Sequence, residues 1–308
     1  MGLIALIAGM VCAGLGGELF VRGTVGIARI ARVSPGIIGA TVAAFATSTP
    51  ELSVAITSAA AGRPGISLGD ALGSNVVNVA LILGCALAIS GIQTPRSGLK
   101  RDFPVALLVP AVTGALMLDG LLSRTDGAMM LVGFLVWLGT TIVEARRERT
   151  AAAEILAVEP AWRAIGASVV GLVLLAAAGY LVVSGARSIA ATFGITDFIV
   201  GATIVAVGTS LPELATTVIA KLRGHDEVAL GTILGSNIFN GLFIVAVAAV
   251  IHPIAVDWRS VVVALAFGLI AIVASYPDRE GYIERRRGVV LLVLYAAYLT
   301  AVLQRGGA

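Results

Sequence analysis

Long runs of apolar residues, separated by short stretches of polar residues, glycine and proline, dominate the chain. A bilayer core about 30 Å thick is crossed by roughly 20 apolar residues in an α-helix, so each long run predicts one membrane span. The polar, Gly and Pro positions mark where these helices end. The ten spans predicted in this way are 2–21, 36–61, 70–90, 103–119, 126–144, 163–186, 197–220, 228–251, 259–276 and 288–303.

The composition agrees with this pattern. Of the 308 residues, 58% are hydrophobic and only 13% are charged, about half the charged share of a typical soluble domain. The sequence therefore predicts an all-α membrane protein in which ten spans and short loops leave no room for a soluble enzymatic domain. Nothing in the sequence predicts a cofactor, a nucleic-acid partner or an obligatory protein partner, and the lipid bilayer is the expected surrounding.

The basic residues predict the orientation of the spans. If the loops after odd-numbered spans face the cytoplasm, they hold 16 of the 21 Lys and Arg residues. Basic residues concentrate in cytoplasmic loops, so both termini are predicted to lie outside the cell. The expected location is the inner (plasma) membrane.

The chain also contains an internal repeat. An offset of 162 residues aligns GIIGATVAAFATSTPEL (36–52) with FIVGATIVAVGTSLPEL (198–214), and LGDALGSNVVN (68–78) with LGTILGSNIFN (230–240). The matches include polar residues, which chance does not favour in apolar sequence. Each half, 1–145 and 163–308, contains five predicted spans, with a charged cytoplasmic linker at 146–162. An odd number of spans makes the two halves an inverted repeat, with the substrate site expected between them near the midplane.

Two acidic residues, Glu51 and Glu213, occupy matching positions inside predicted spans. Glu51 lies about 10 residues before the end of its span, which is about 15 Å, or half the hydrocarbon thickness. A charged carboxylate at that depth costs about 2.5–3.5 kcal/mol. No Lys or Arg lies in the central part of either span. Metal cations or protons are therefore left to balance the two charges.

The residues around the glutamates supply oxygen atoms, without thiols or imidazoles. Pro50 and Pro212 lack an N–H, which predicts that carbonyl oxygens near Ala46 and Gly208 are released as ligands. In each neighbouring helix a Ser and an Asn four residues apart share one face. These oxygens form a hard ligand set suited to Ca²⁺ or Na⁺. The hydroxyl and amide candidates are Thr47, Ser48, Ser74, Asn78, Thr209, Ser210, Ser236 and Asn240.

The motifs GTSLPEL (208–214) and GSNIFN (235–240), with their partners ATSTPEL (46–52) and GSNVVN (73–78), resemble the two alpha repeats of the sodium/calcium exchanger family, of the prokaryotic type. The resemblance covers all ten predicted spans. It implies that Glu51 and Glu213 are central Ca²⁺ and Na⁺ ligands with Thr47 and Thr209 beside them. It also implies that the carbonyls of Ala44 and Ala206 contribute to flanking Na⁺ sites, which the Ser and Asn side chains named above line.

The sequence departs from the family's pattern at a few positions. Ala46 and Thr49 stand where the pattern has Gly and Leu, and Asn240 stands where some microbial relatives carry Asp. The ligand positions Glu51 and Glu213 are kept. The central site is therefore expected to be less acidic than in those relatives, which bears on ion stoichiometry.

The predicted function is exchange of Ca²⁺ for Na⁺ by alternating access, with the first and sixth spans sliding against the rest. The alternative is a proton-coupled cation exchanger that uses the same carboxylates, since a proton neutralises them as a metal does. An intramembrane hydrolase finds no support, because HExxH, GxSxG and paired catalytic aspartates are absent from the sequence.

Other polar residues within apolar segments receive structural interpretations. Glu18 precedes Arg22 by four residues near the cytoplasmic end of its span, which predicts either a local ion pair with Arg22 or a side chain that reaches the membrane surface. Asp70 stands at the start of its predicted span and is interpreted as a helix N-terminal cap.

Overall fold

The computed structural model describes residues 2–62, 64–94, 98–151, 160–192, 206–256 and 258–306, and these are mostly helical. The helices of the first half are α1 (Gly2–Ala31), α2 (Pro35–Ile38), α3 (Ala44–Thr47), α4 (Thr49–Ala60), α5 (Pro64–Val76), α6 (Gly84–Ile89), α7 (Phe103–Leu116) and α8 (Arg124–Ala151). Those of the second half are α9 (Ala161–Thr192), α10 (Ala206–Thr209), α11 (Leu211–Leu222), α12 (Asp226–Ile238), α13 (Val245–Ile251), α14 (Trp258–Ala274) and α15 (Arg285–Gly306). π-Helical segments lie at Gly39–Ala43, Val77–Leu83, Gly98–Asp102 and Phe239–Ile244.

Several helices are long and apolar enough to cross a membrane, as the apolar runs predict. Within the described ranges there are five such stretches, and the bent pair Pro35–Thr47 and Thr49–Ala60 makes a sixth if it is one span. Val261–Ala274 is a shorter apolar helix. The five stretches are Ile7–Ala31, Pro64–Ile89, Arg124–Arg147, Ala161–Ala178 and Asp226–Ile251.

The helix ends differ from the predicted span ends. α1 continues to Ala31, well beyond the predicted end at residue 21, and α8 and α9 also outrun their predicted spans. Backbone hydrogen bonding continues past the apolar run, because helix formation does not require the helix to stay in lipid. The third span begins at Pro64 rather than at residue 70, and Pro is favoured in the first turn of a helix. Parts of the predicted linker (152–159) and of the seventh span (197–205) lie outside the described residues.

Two short antiparallel ribbons connect loops from opposite halves. β1 (Ile92–Gln93) pairs with β4 (Tyr282–Ile283), and β2 (Leu121–Leu122) pairs with β3 (Ile254–Ala255). The first ribbon joins the loops after the third and ninth predicted spans, and the second joins those after the fourth and eighth. The first ribbon thus joins two loops that follow odd-numbered spans, and the second joins two loops that follow even-numbered spans. In a ten-span arrangement, the two loops of each ribbon lie on the same side of the membrane.

Two helical stretches form the centre of the molecule. The apolar 18-residue segments of Pro64–Ile89 and Asp226–Ile251 are 78% and 83% buried, whereas that of Arg124–Arg147 is only 22% buried and faces mostly outward. α12 approaches the π-helical segment Gly39–Ala43 so closely that a Cβ on Gly235 would lie 2.2 Å from the carbonyl oxygen of Ala40. The glycine that begins GSNIFN is therefore required by packing between the halves.

Candidate cation site

Each glutamate-bearing helix is interrupted immediately before its glutamate. α3 and α4 meet at Ser48 with a bend of 45°, and Ser48 has φ −85° and ψ 13°. Ser210, between α10 and α11, has nearly the same conformation, φ −85° and ψ 10°. A proline two residues after each serine cannot donate to the preceding turn, which explains why the same motif breaks both helices.

The breaks place both glutamates in the first turn of a helix, Glu51 in α4 and Glu213 in α11. The backbone N–H groups at a helix N-terminus stabilise negative charge there. Both residues have no solvent exposure. Among the ion pairs between described side chains, none involves either glutamate. The protein thus offers these carboxylates hydrogen bonds rather than a basic partner.

The serines at the breaks donate hydrogen bonds across the two halves. The Ser48 hydroxyl lies 2.8 Å from Glu213 Oε1, and the Ser210 hydroxyl lies 3.3 Å from Glu51 Oε1. The second oxygen of each carboxylate, Oε2, is buried and has no hydrogen-bond partner within the described part of the chain. Two buried, unpaired carboxylate oxygens are costly unless a cation or proton meets them.

The predicted serines of the neighbouring helices behave differently. Ser236 contacts both Ser48, at 3.0 Å between the hydroxyl oxygens, and Glu213 Oε1, at 3.4 Å. Ser74, its repeat counterpart, is also fully buried, but its hydroxyl has no partner among the described residues. The structure therefore brings Ser236 to a glutamate, whereas Ser74 keeps a free oxygen.

Three of the four asparagines of the GSN motifs hydrogen-bond to one another across the two halves, which the sequence did not predict. The side-chain amides of Asn75 and Asn237 each donate to the backbone carbonyl of the other, both at 3.2 Å. Asn78 donates to Asn237 Oδ1 at 3.1 Å, while its own Oδ1 has no partner among the described residues. Both polar atoms of Asn240 are likewise buried without a partner there. Asn78 and Asn240 lie in π-helical segments, which often mark functional positions.

The backbone at the first break ends α3 at Ser48. The Ser48 N–H donates to the carbonyl of Ala44 at 3.0 Å. Pro50 has no N–H to donate to the carbonyl of Ala46, which therefore stays a predicted ligand. Thr47 directs its hydroxyl to the carbonyls of Ala43 and Ala44, at 3.0 and 3.3 Å. Ala206 begins the short helix α10.

Two predictions on other acidic residues have opposite outcomes. Glu18 forms the predicted ion pair with Arg22, at 2.5 Å, and also contacts Arg223 at 2.8 Å. The interpretation of Asp70 as a helix cap is wrong, because α5 begins at Pro64 and Asp70 lies well inside it. The sequence places an apolar run after Asp70, but the helix starts earlier, at the proline.

The site's donor set is one of hard oxygen ligands. Within the described ranges, no group of three or more His, Cys, Asp or Glu residues is placed to hold a metal ion. Two carboxylates with neutral hydroxyl and amide oxygens remain around the breaks. That set suits Ca²⁺ or Na⁺ rather than a transition metal.

An apolar cavity of about 600 Å³ lies beside the breaks. α9 forms one wall through residues such as Leu172 and Ala176, and Pro50 and Pro212 belong to the opposite wall. The packing between α9 and the two interrupted helices is therefore incomplete on this side.

Comparison with known proteins agrees with this chemistry. The sequence model of the family described as sodium/calcium exchanger protein matches residues 1–143 and 163–304. CaxA of Alkalimonas amylolytica is 36% identical over 96% of this chain and 96% of its own. The sodium/calcium exchanger MaX1 of Methanosarcina acetivorans is 28% identical over 98% of each chain.

A solved structure is also similar along the whole chain. It is that of the sodium-calcium exchanger NCX_Mj soaked with 2.5 mM Na⁺ and 10 mM Sr²⁺. The TM-score is 0.84 and the identity is 31%, over 97% of this chain and 98% of the other.

Proposed function

Because the chain belongs to the sodium/calcium exchanger family, we propose that it exchanges Ca²⁺ for Na⁺ across the membrane by alternating access. The observation that carries this proposal is the crossed glutamate pair. Each carboxylate has one oxygen bound by a serine of the opposite half and one buried oxygen without a partner among the described residues. A cation between the halves would satisfy both unpaired oxygens at once.

The charge of the pair accounts for exchange. Two carboxylates balance one Ca²⁺, and they can instead balance Na⁺ ions, so the two kinds of ion compete for the same negative charge. Thr47, Thr209 and Ser74 and the backbone carbonyls of Ala44 and Ala206 are the proposed accessory ligands. Ser48, Ser210, Ser236, Asn78 and Asn240 complete the proposed lining.

The proposed architecture is ten spans in two inverted repeats, 1–145 and 163–308, joined by a cytoplasmic linker at 146–162. The two ribbons support it, since each joins two loops, one from each half, that this architecture places on the same side of the membrane. We place both termini outside the inner membrane on the distribution of basic residues. Ca²⁺ extrusion driven by the Na⁺ gradient is the proposed direction.

α1 and α9 are the proposed moving elements. Their contact is made through glycines: a Cβ on Gly23 would lie 2.3 Å from Ser168 Oγ, and one on Gly171 would lie 2.5 Å from the Phe20 backbone nitrogen. Smooth, close-packed helix surfaces favour movement of the two helices as a pair. The apolar cavity between α9 and the breaks leaves space for it.

Uptake of radioactive Ca²⁺ into proteoliposomes tests the function. Vesicles loaded with Na⁺ are expected to accumulate Ca²⁺ when diluted into Na⁺-free buffer, and the double variant Glu51→Gln/Glu213→Gln is expected to show none. Glu280→Gln, the same change at an exposed loop residue, is the control. Uptake that follows an imposed pH gradient and ignores the Na⁺ gradient would contradict the proposal and indicate proton coupling.

A further inference from the structure

A third acidic side chain, Asp70, lies on the helix face that carries the proposed ligands. It precedes Ser74 by four residues and Asn78 by eight in the continuous helical stretch Pro64–Ile89. Residues at this spacing lie on one face of a helix, above one another. Asp70 therefore extends the row formed by Ser74 and Asn78 toward the Pro64 end of this stretch.

The surroundings of Asp70 connect it to the glutamate pair. Its carboxylate accepts a hydrogen bond from the side chain of Thr209, at the end of α10, and lies within electrostatic range of Glu51. Its Oδ2 atom is buried and has no hydrogen-bond partner in the described part of the chain. No ion pair between described side chains includes Asp70. This carboxylate, like the glutamates, lacks a basic partner.

The internal repeat does not account for Asp70. The residue 162 positions later is Thr232, which is fully buried and whose hydroxyl has no partner among the described residues. The fold therefore accepts a neutral side chain at the equivalent place in the other half. An acid that is not needed for packing in one half has a separate reason to be present in the other.

Asp70 differs from the glutamates in exposure. Glu51 and Glu213 are fully buried, whereas Asp70 as a residue is only partly buried. It lies in the first third of the stretch Pro64–Ile89, nearer the Pro64 end, which the proposed orientation places on the outer side. No three acidic residues of the described ranges converge on one point. Asp70 thus has to act at a position adjacent to the glutamate pair rather than on the same ion with both glutamates.

We propose that Asp70 is a further cation ligand, whose carboxylate, together with the Thr209 hydroxyl oxygen and the charge of Glu51, attracts and binds a hard metal cation, Ca²⁺ or Na⁺, at a position on the outer side of the pair. The inference rests on the proposed function, because it assumes that cations reach Glu51. The negative charge raises the local cation concentration at the entrance, and the free Oδ2 replaces part of the ion's hydration shell. The position exists on one side only, since Thr232 offers no charge on the other.

Calorimetric titration of the purified full-length protein with Ca²⁺, and separately with Na⁺, tests this position without requiring transport. Asp70→Asn is expected to weaken Ca²⁺ binding about tenfold, because one buried negative charge is lost near the ion. Asp70→Thr, which copies the residue of the other half, is the second variant and is expected to give the same loss. Asp119→Asn is the control, because Asp119 is an exposed residue in a loop on the proposed outer side. Its side-chain oxygen accepts the Leu121 N–H, and Asn keeps such an oxygen.

The outcomes separate the two proposals. Ca²⁺ and Na⁺ affinities of Asp70→Asn and Asp70→Thr equal to those of the unmodified protein would overturn the Asp70 position while leaving the exchange function standing. A different result would overturn the exchange function alone. In that case the unmodified protein binds Ca²⁺ and Asp70→Asn binds it less tightly, but the unmodified protein shows no Na⁺-driven uptake. In transport, the loss is expected as a raised KM for Ca²⁺ on the outer side only, and an equal rise on both sides would contradict the placement.

Discussion

Glu51 and Glu213 occupy the same place in two copies of one motif, yet their environments differ. Glu213 Oε1 accepts from Ser48 at 2.8 Å and from Ser236 at 3.4 Å. Glu51 Oε1 accepts from Ser210 at 3.3 Å, and Asp70 adds a negative charge in its neighbourhood. The protein therefore stabilises the charge of Glu213 more than that of Glu51. Under the proposed function, Glu51 therefore gains more from a bound cation than Glu213 does.

The same asymmetry runs through the neighbouring helices. Ser236 reaches a glutamate whereas Ser74 keeps its hydroxyl unpaired, and Asn237 holds Asn78 whereas Asn240 has no partner among the described residues. A repeated motif thus gives two halves with equal chemistry but unequal hydrogen bonding. The proposed alternating access of two inverted repeats is consistent with such a difference, because two equivalent halves cannot pack identically while only one side is open.

Substitution of the glutamates themselves is expected to show the largest difference between the two halves. Glu51→Gln is expected to weaken Ca²⁺ binding by about 100-fold or more, and Glu213→Gln by less, because Glu213 already shares its charge with two hydroxyl donors. Calorimetric titration with Ca²⁺ measures both, with Glu280→Gln as the matched control. Equal losses, or a larger loss in Glu213→Gln, would show that the unequal hydrogen bonding does not govern cation binding.

The serines at the breaks test the crossed contacts at a smaller scale. Ser48→Ala is expected to lower Ca²⁺ affinity about tenfold and Ser210→Ala about threefold, since a bond to a charged acceptor contributes about 1.5–3 kcal/mol and the Ser210 bond is longer. Double-mutant cycles are expected to couple Ser48 to Glu213 and Ser210 to Glu51. Coupling of each serine to the glutamate of its own half instead would disprove the crossed arrangement.

The asparagine contact gives the smallest expected effect. Asn75→Ala and Asn237→Ala are each expected to lower the free energy of unfolding by about 1 kcal/mol, seen as a lower Tm in detergent. Only Asn237→Ala is also expected to weaken Ca²⁺ binding, by about threefold, because it releases Asn78. Thr300→Ala, an exposed change on a helix, is the control. An unchanged Tm in both asparagine variants would show that the hydrogen bonds between Asn75 and Asn237 do not stabilise the fold.

The sequence predicted some features of the site and missed others for identifiable reasons. Pro50 and Pro212 indicated where the two helices are interrupted, because a proline cannot donate a backbone N–H to the preceding turn. Asp70 was misassigned because its apolar neighbours suggested a helix start, while the proline that begins the helix lies six residues earlier. The π-helical segments around Asn78 and Asn240 leave no local signature that hydrophobic periodicity would register.

The sequence by itself determined the membrane class, the family, the repeat and the two glutamates, because apolar length, repeated spacing and the cost of charge in lipid act at the level of the chain. Only the tertiary structure decided that Ser48 donates to Glu213, that Asn75 and Asn237 hydrogen-bond to each other and that Asp70 lies beside Thr209. Those contacts join residues more than 130 positions apart. Their partners depend on how helices pack, and sequence periodicity reports which face is buried without saying what it is buried against.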